Sequence, residues 1–247
     1  MTVTMELMRL GWAGIRGTVY RCVVSEAPGW SAIDAALRNL YGETVPAHWT
    51  PQQPWSLGGP DPLDGISAYP RTDPVSHWHY VTYGMSELYE KEWDNPAVSG
   101  WGFEFTLRLA RPTSDADPPL WAAGFLQTLA RYVIQSGKWF EPGNTIKANG
   151  PLDPERPESA IQAFTFVVDP ELGSIDTPHG AVRFLQVVGL TMPEYRAALG
   201  GKALGLLRDF ESRIPLYVTD LDRATFVNDP KPQARWPRWG GGLRGRP

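Results

Sequence analysis

This chain of 247 residues lacks several features that would have assigned it a role at once. It has one cysteine, Cys22, so no disulfide can form within it, which fits a reducing cytoplasm. No apolar run approaches the roughly 18 residues that span a bilayer. The start, MTVTMELMRLGWAG, has no long apolar run between a basic opening and a small-residue cleavage site, so no secretory leader is read there. The expectation is a cytoplasmic chain without membrane contact. Cationic excess is also absent. A net charge of −4 argues against a general nucleic-acid binder. Catalytic signatures are missing too: there is no nucleophile elbow, metalloprotease helix, phosphate loop or dinucleotide fingerprint. Gly100-Trp101-Gly102 precedes a strand pattern, so it is not a phosphate cradle. No cofactor is implied.

What the chain does have is aromatic surface. Eleven tryptophans and 12% aromatic content serve either a core or an interface, and 42% hydrophobic residues suffice for a sizeable core. The densest stretch runs from Trp55 to Leu109. It joins the turn Leu57–Asp64, the segment His77-Trp78-His79-Tyr80 and an alternating run from Trp101 to Leu109.

Periodicity gives the elements. A helix is expected from Ser31, with Ser31 as cap, Ile33, Leu37, Leu40 and Tyr41 on one face, and Gly42 as stop. His77–Tyr83 reads as a central strand. In Trp101–Leu109 the odd positions face inward, while Gly102, Glu104, Thr106 and Arg108 face outward or toward a polar neighbour. Leu120–Gln135 is a helix with Ala122, Phe125, Leu126, Leu129 and Val133 inward. Ala160–Val168 and Ala181–Leu190 are strands. Thr191 and Glu194 form a capping box before a helix broken at Gly200-Gly201. Leu216–Asp220 and Ala224–Val227 read as short closing strands. The fold class is α+β: a mixed, mainly antiparallel sheet with helices packed on it, in one domain.

Three regions follow. Residues 1–28 are an extension or edge hairpin, 29–230 the domain, and 231–247 a disordered tail with five basic residues and no acid.

His77 and His79 share one strand face, and imidazoles ligate zinc well. Asp61, Asp64, Glu87 and Glu104 lie nearby in sequence, but no ligand spacing fixes them. No metal site is therefore expected. The alternative is a metal-dependent or hydrolytic enzyme built on His77, His79 and these acids. Asp61 and Asp64 also suit backbone hydrogen bonds in their turn.

The motifs GGPDPLD, HWHYVTYGMSELY, SGWGFEFTLRL, LARYVIQS (129–136), PLD (151–153) and VRFLQVVGL (182–190) occur in that order. Together they resemble the suppressor of fused family, from about Gly29 to Pro230. The resemblance implies a non-enzymatic protein binder. Family members in animals hold an extended peptide that adds as a strand in a cleft between two domains. This chain resembles the N-terminal half of such proteins. Smaller bacterial relatives are implied to be immunity proteins that neutralise a toxin. Two partner-binding positions carry over: Tyr132 in LARYVIQS, and Asn144, which stands where the family has aspartate. That loss of charge weakens any ion pair with a basic or histidine-bearing peptide. The plain alternative for Tyr132 is a core tyrosine whose hydroxyl is hydrogen-bonded. The expected partner is thus a protein or extended peptide, such as a toxin.

Overall fold

The structure, a computed structural model, describes residues 27–53, 55–112 and 117–227, together with the backbone of Thr2–Thr4. In chain order the elements are β1 (Thr2–Thr4), α1 (Pro28–Tyr41), β2 (Ala47–Trp49), β3 (Gly65–Arg71), β4 (His77–Tyr83), β5 (Val98–Ala110), α2 (Leu120–Ser136), β6 (Thr145–Lys147), β7 (Ile161–Val168), β8 (Ser174–Thr177), β9 (Gly180–Thr191), α3 (Met192–Ala198) and α4 (Ala203–Phe210). The strands form one sheet in the order β1-β6-β7-β9-β5-β4-β3-β2, with β8 also pairing β9. Only the β1–β6 and β5–β9 pairs are parallel. The expected α+β class, with a mixed and mainly antiparallel sheet, is the fold observed.

The two-residue side-chain period sorts the core into layers. Trp78 and Tyr80 of β4 and Phe103, Phe105, Leu107 and Leu109 of β5 join Phe125, Leu126, Leu129 and Val133 of α2 on one face. On the other face α1 packs Ile33, Leu37 and Tyr41 against Tyr69, Val81, Tyr83 and Phe184. Beside it, Leu207 and Phe210 of α4 and Tyr195 of α3 cover Ala163, Val167, Val188 and Leu190. Burying a leucine or phenylalanine contributes ~1.5–3 kcal/mol, so these three clusters are the main driving force. With helices on both faces, β4 is buried throughout. Of the two alternatives for the even positions of β5, the polar neighbour holds for Glu104, Thr106 and Arg108, which are fully buried against polar partners.

Helix boundaries follow local chemistry, with one correction. α1 starts at Pro28, a turn before Ser31, because proline is pre-set for a first helical position. Ser31 is not the cap; its Oγ donates to the Ala27 carbonyl at 3.1 Å. Gly29 is required there. A Cβ would lie 2.1 Å from the Glu87 carbonyl oxygen, because the Gly29 amide bonds Leu88 O at 3.0 Å. Gly42 ends α1 at φ 59°. The Thr191–Glu194 capping box forms as expected. The Glu194 carboxylate also accepts from Arg223 Nη1 at 2.7 Å and from the Phe226 amide at 2.9 Å.

Several short elements escaped the sequence reading. β2, β3, β6 and β8 lie in stretches that read as turns or loops. The two closing strands are absent among the described residues. Pro215–Tyr217 is instead a 3-10 turn with Leu216 at φ 54°. Thr219 makes a single bridge to Leu109, and residues 224–227 have no strand. Thr219 alone joins the end of β5, its amide donating to Arg108 O and its carbonyl accepting from the Ala110 amide at 2.8 Å each, because Leu216 and Tyr217 at positive φ break the extended run before it. Residues 84–92 form a series of bends. Thr2–Thr4 forms an edge strand paired with β6; the rest of the expected N-terminal hairpin and the whole basic tail lie outside the described residues.

Candidate partner-binding surface

The two histidines come together with partners, but in the interior. Both are fully buried. His77 Nδ1 lies 2.7 Å from the Val75 carbonyl and Nε2 3.3 Å from Arg108 Nη1. His79 Nε2 lies 3.0 Å from Asp169 Oδ2, and Nδ1 lies 2.5 Å from the Tyr41 hydroxyl. A carboxylate only accepts, so this geometry puts the His79 proton on Nε2 and makes Nδ1 the acceptor for Tyr41. Arg108 bonds Asp169 Oδ1 and Glu171 Oε2 at 2.8 Å each and Gln186 Oε1 at 3.1 Å. Arg71 reaches Glu171 at 2.9 Å.

The network is thus charge-balanced with neutral histidines: Arg71 and Arg108 oppose Asp169 and Glu171. Burial is the main cause that brings His77 and His79 down to about 4. Asp169 is desolvated too, yet His79 and Arg108 hold its carboxyl well below the usual range. Each ring nitrogen has a polar atom within 3.3 Å. The acid that meets His79 is Asp169, not one of the acids near it in sequence. Glu104 is enclosed elsewhere, accepting from the Gly84, Met85 and Ser86 amides and the Thr82 and Ser86 hydroxyls at 2.6–3.3 Å. Asp61 pairs with Arg131 of α2. The described residues contain no group of three or more His, Cys, Asp or Glu placed to hold a metal ion. This constellation ties strands to α1, and its histidines, Arg108 and Asp169 are out of reach of solvent.

Tyr132 and Asn144 lie on a different part of the surface. Tyr132 sits on α2, half-buried, with its ring stacked on Phe140 at 5.8 Å and 11°. Phe140 stacks in turn on Phe166 at 4.6 Å. Asn144 receives the Phe166 amide at 3.3 Å through its carbonyl, so a short aromatic ladder links the two positions. Asn144 Oδ1 accepts from the Glu141 amide at 3.0 Å and closes the turn before β6. The Tyr132 hydroxyl differs from the sequence expectation: it is buried without a hydrogen-bond partner among the described residues. Such an unpaired donor costs ~1–3 kcal/mol.

Next to this ladder stand three tryptophans that the sequence reading did not single out as a group. Trp93 and Trp139 are 40% and 45% exposed, far above a core aromatic. Trp101 lies between them, with ring centroids 5.3 Å from Trp93 and 5.5 Å from Trp139. Trp101 was expected to face inward with the other odd residues. It is half-buried and packs against the same core cluster as Phe103 and Phe105, and the Gly100 and Gly102 that flank it adopt φ 51° and 77° where the β5–β9 register shifts between Val98 and Phe103. Paired glycines bracketing an aromatic were the available signal, since glycine readily adopts the positive φ of such an irregularity. A cavity of about 160 Å³ opens beside Trp101, Trp139 and Phe140; Arg183 and Glu141, paired at 3.1 Å, also line it.

These features define a mixed α+β domain with a closed polar interior and an aromatic outer surface. The Suppressor of fused protein family model matches residues 59–224, and the chain belongs to that family. The human Suppressor of fused homolog is 37% identical over 227 residues, covering 84% of this chain and 46% of the human one, and the mouse homolog gives the same figures. The chain therefore spans about half the length of these curated relatives. Among solved structures, a chain of a Sufu-Fu complex matches with TM-score 0.75 and 32% identity, over 81% of this chain and 93% of its own. Drosophila Suppressor of Fused matches with TM-score 0.76 and 31% identity, over 85% of this chain and 52% of its own. A putative Suppressor of fused homolog from Neisseria gonorrhoeae shares the fold at 18% identity and TM-score 0.51, over 80% of this chain and 96% of its own.

Proposed function

We propose that this chain is a non-enzymatic binder that captures a protein partner through the surface around Tyr132, Asn144 and the Trp93–Trp101–Trp139 cluster. The observation that carries this reading is the exposure of Trp93 and Trp139, both in contact with Trp101, which lines a cavity together with Trp139. Exposed indoles standing together are costly in water and suit the centre of an interface. A relative is found in a Sufu-Fu complex, which supports a protein as the partner. The histidine-based enzyme reading loses support because the imidazoles are enclosed.

The mode that fits is addition of an extended segment to a sheet edge. β6 begins directly after Asn144 and takes Thr2–Thr4 of the chain itself in parallel register. We place the action in the cytoplasm, in line with the single cysteine. Of the regulatory roles open to such a binder, we favour neutralisation of a toxin, as an immunity protein, the role that the resemblance implies for smaller bacterial relatives.

The experiment isolates the partner by affinity capture, identifies it and titrates it as a purified protein. One-to-one saturation is expected. Trp139→Ala and Tyr132→Ala should each weaken it by ~2 kcal/mol, about thirtyfold. Turnover of a small molecule by the wild type, lost on His77→Ala, would refute the reading.

A further inference from the structure

A second and larger cavity, of about 290 Å³, shares Trp101 with the first and is lined largely by the 84–93 loop. Its walls are aromatic: Trp55, Tyr89, Trp93 and Trp101. The first three are 45%, 52% and 40% exposed, so their rings are accessible from solvent. Every charged residue lining it is a carboxylate, namely Asp64, Glu87, Glu90 and Glu92.

Glu87 has a structural task. It accepts from the amides of Glu92, Trp93 and Gly100 at 2.6–3.0 Å and so holds the loop in shape. Lys91 balances it, with Nζ 2.7 Å from Glu87 Oε2 and 2.7 Å from the Val98 carbonyl oxygen. No such counter-ion is paired with Asp64, Glu90 or Glu92 among the described residues. Burial raises the Asp64 carboxyl above its ordinary range, and a hydrogen bond from Tyr89 only partly opposes this.

We propose that this pocket receives a cationic side chain, arginine or lysine, of the protein partner. The faces of indole and phenol rings attract cations, and the unbalanced carboxylates add charge-assisted hydrogen bonds. The volume admits a guanidinium or ammonium with its methylene stem. An apolar side chain would strip water from the carboxylates without replacing it, and an anion would be repelled. This inference rests on the binding-module reading and adds what the partner must bring.

The test needs no partner. Indole N–H resonances of Trp55, Trp93 and Trp101 are assigned with single Trp→Phe variants. The intact chain is then titrated with acetyl-Gly-Arg-Gly-amide, its lysine counterpart, the uncharged citrulline counterpart and free choline. The arginine or lysine peptide should shift these resonances saturably with Kd on the order of millimolar, and citrulline should not. Glu90→Gln with Glu92→Gln, both at exposed positions, should weaken the cationic peptide by about fivefold at unchanged melting temperature. No shift by either cationic peptide, or an equal shift by citrulline, overturns the proposal. Choline binding more tightly than both peptides reassigns the pocket to a small quaternary ammonium and overturns it as well. If the peptides fail while Tyr132→Ala still weakens the partner, only this pocket is lost. If the peptides bind while the purified partner ignores Tyr132→Ala and Trp139→Ala, the pocket stands and the proposed surface does not.

Discussion

Arg108 and Asp169 form an ion pair of 2.8 Å in which neither side chain reaches solvent. They come from β5 and the turn after β7, and they join the sheet to the loop that leads into β8. Asp169 Oδ1 also accepts from the Glu171 and Leu172 amides at 2.9 and 3.0 Å, so the same carboxylate shapes that turn. The pair is a structural fastener. Removing one member leaves the other charged and enclosed.

Arg108→Ala is therefore expected to destabilise the domain by ~3–5 kcal/mol. For a chain of this size that lowers the thermal midpoint by on the order of 10 °C. Scanning calorimetry of the variant decides it. A midpoint within 2 °C of wild type would mean that water enters the network.

The buried histidines set a direction for pH dependence. His48, His77 and His79 are each lowered from 6.5 to about 4 by burial. Between these values the unfolded chain binds more protons than the folded one, so stability falls as pH falls. It is complete above about 6.5 and erodes between 6.5 and 4, by up to ~1.4 kcal/mol per pH unit for each histidine. Asp169, held low, keeps its contribution through this window. Urea midpoints at pH 7.5 and pH 5 should differ accordingly, and equal midpoints would contradict neutral, buried imidazoles.

Tyr132 separates folding from binding through its hydroxyl. In the free domain that hydroxyl is buried and unpaired. Tyr132→Phe keeps the stack on Phe140 and removes the unpaired donor, so stability should hold or rise by ~1 kcal/mol. Partner affinity should fall if the hydroxyl finds its acceptor in the complex. Chemical denaturation and calorimetric titration of the same variant read the two effects. Loss of stability on this change would mean the hydroxyl is already satisfied.

The β6 edge offers a further check. Deleting residues 1–26 removes β1 while leaving the described domain from Ala27 onward. Three paired residues contribute little to the whole sheet, so the midpoint should move by only a few degrees. Partner affinity should rise, because a competing strand is gone from the docking edge. Unchanged affinity would show that the partner does not use this edge.

Much of the fold was legible in the residues. α2 announces itself by a five-residue apolar stripe and a terminal glycine, and the Thr191–Glu194 box marks α3. β4, β5, β7 and β9 are long enough for alternation or continuous apolarity to identify them. β2 and β6 have three residues each, too few for any period, and β3 begins at a glycine and carries a proline. Their strand state comes from the neighbours that hydrogen-bond them. The closing strand expected at Leu216–Asp220 is reduced to one bridge at Thr219, because Leu216 and Tyr217 adopt positive φ, which no strand tolerates.

The sequence by itself determined the α+β class, the helix that carries Tyr132, and the lack of any complete catalytic or metal-binding motif, because these depend on spacing along the chain. Tertiary structure decided the rest. It drew Asp169 from ninety residues away to His79, since a buried ionisable group is stable only with a partner and no local one could reach. It left Trp101 half-buried, packed on the core and also in contact with Trp93 and Trp139, where two glycines at positive φ flank it. It gathered Trp93, Trp101 and Trp139 from three separate loops and strands into one surface, which no reading of periodicity along a single segment contains.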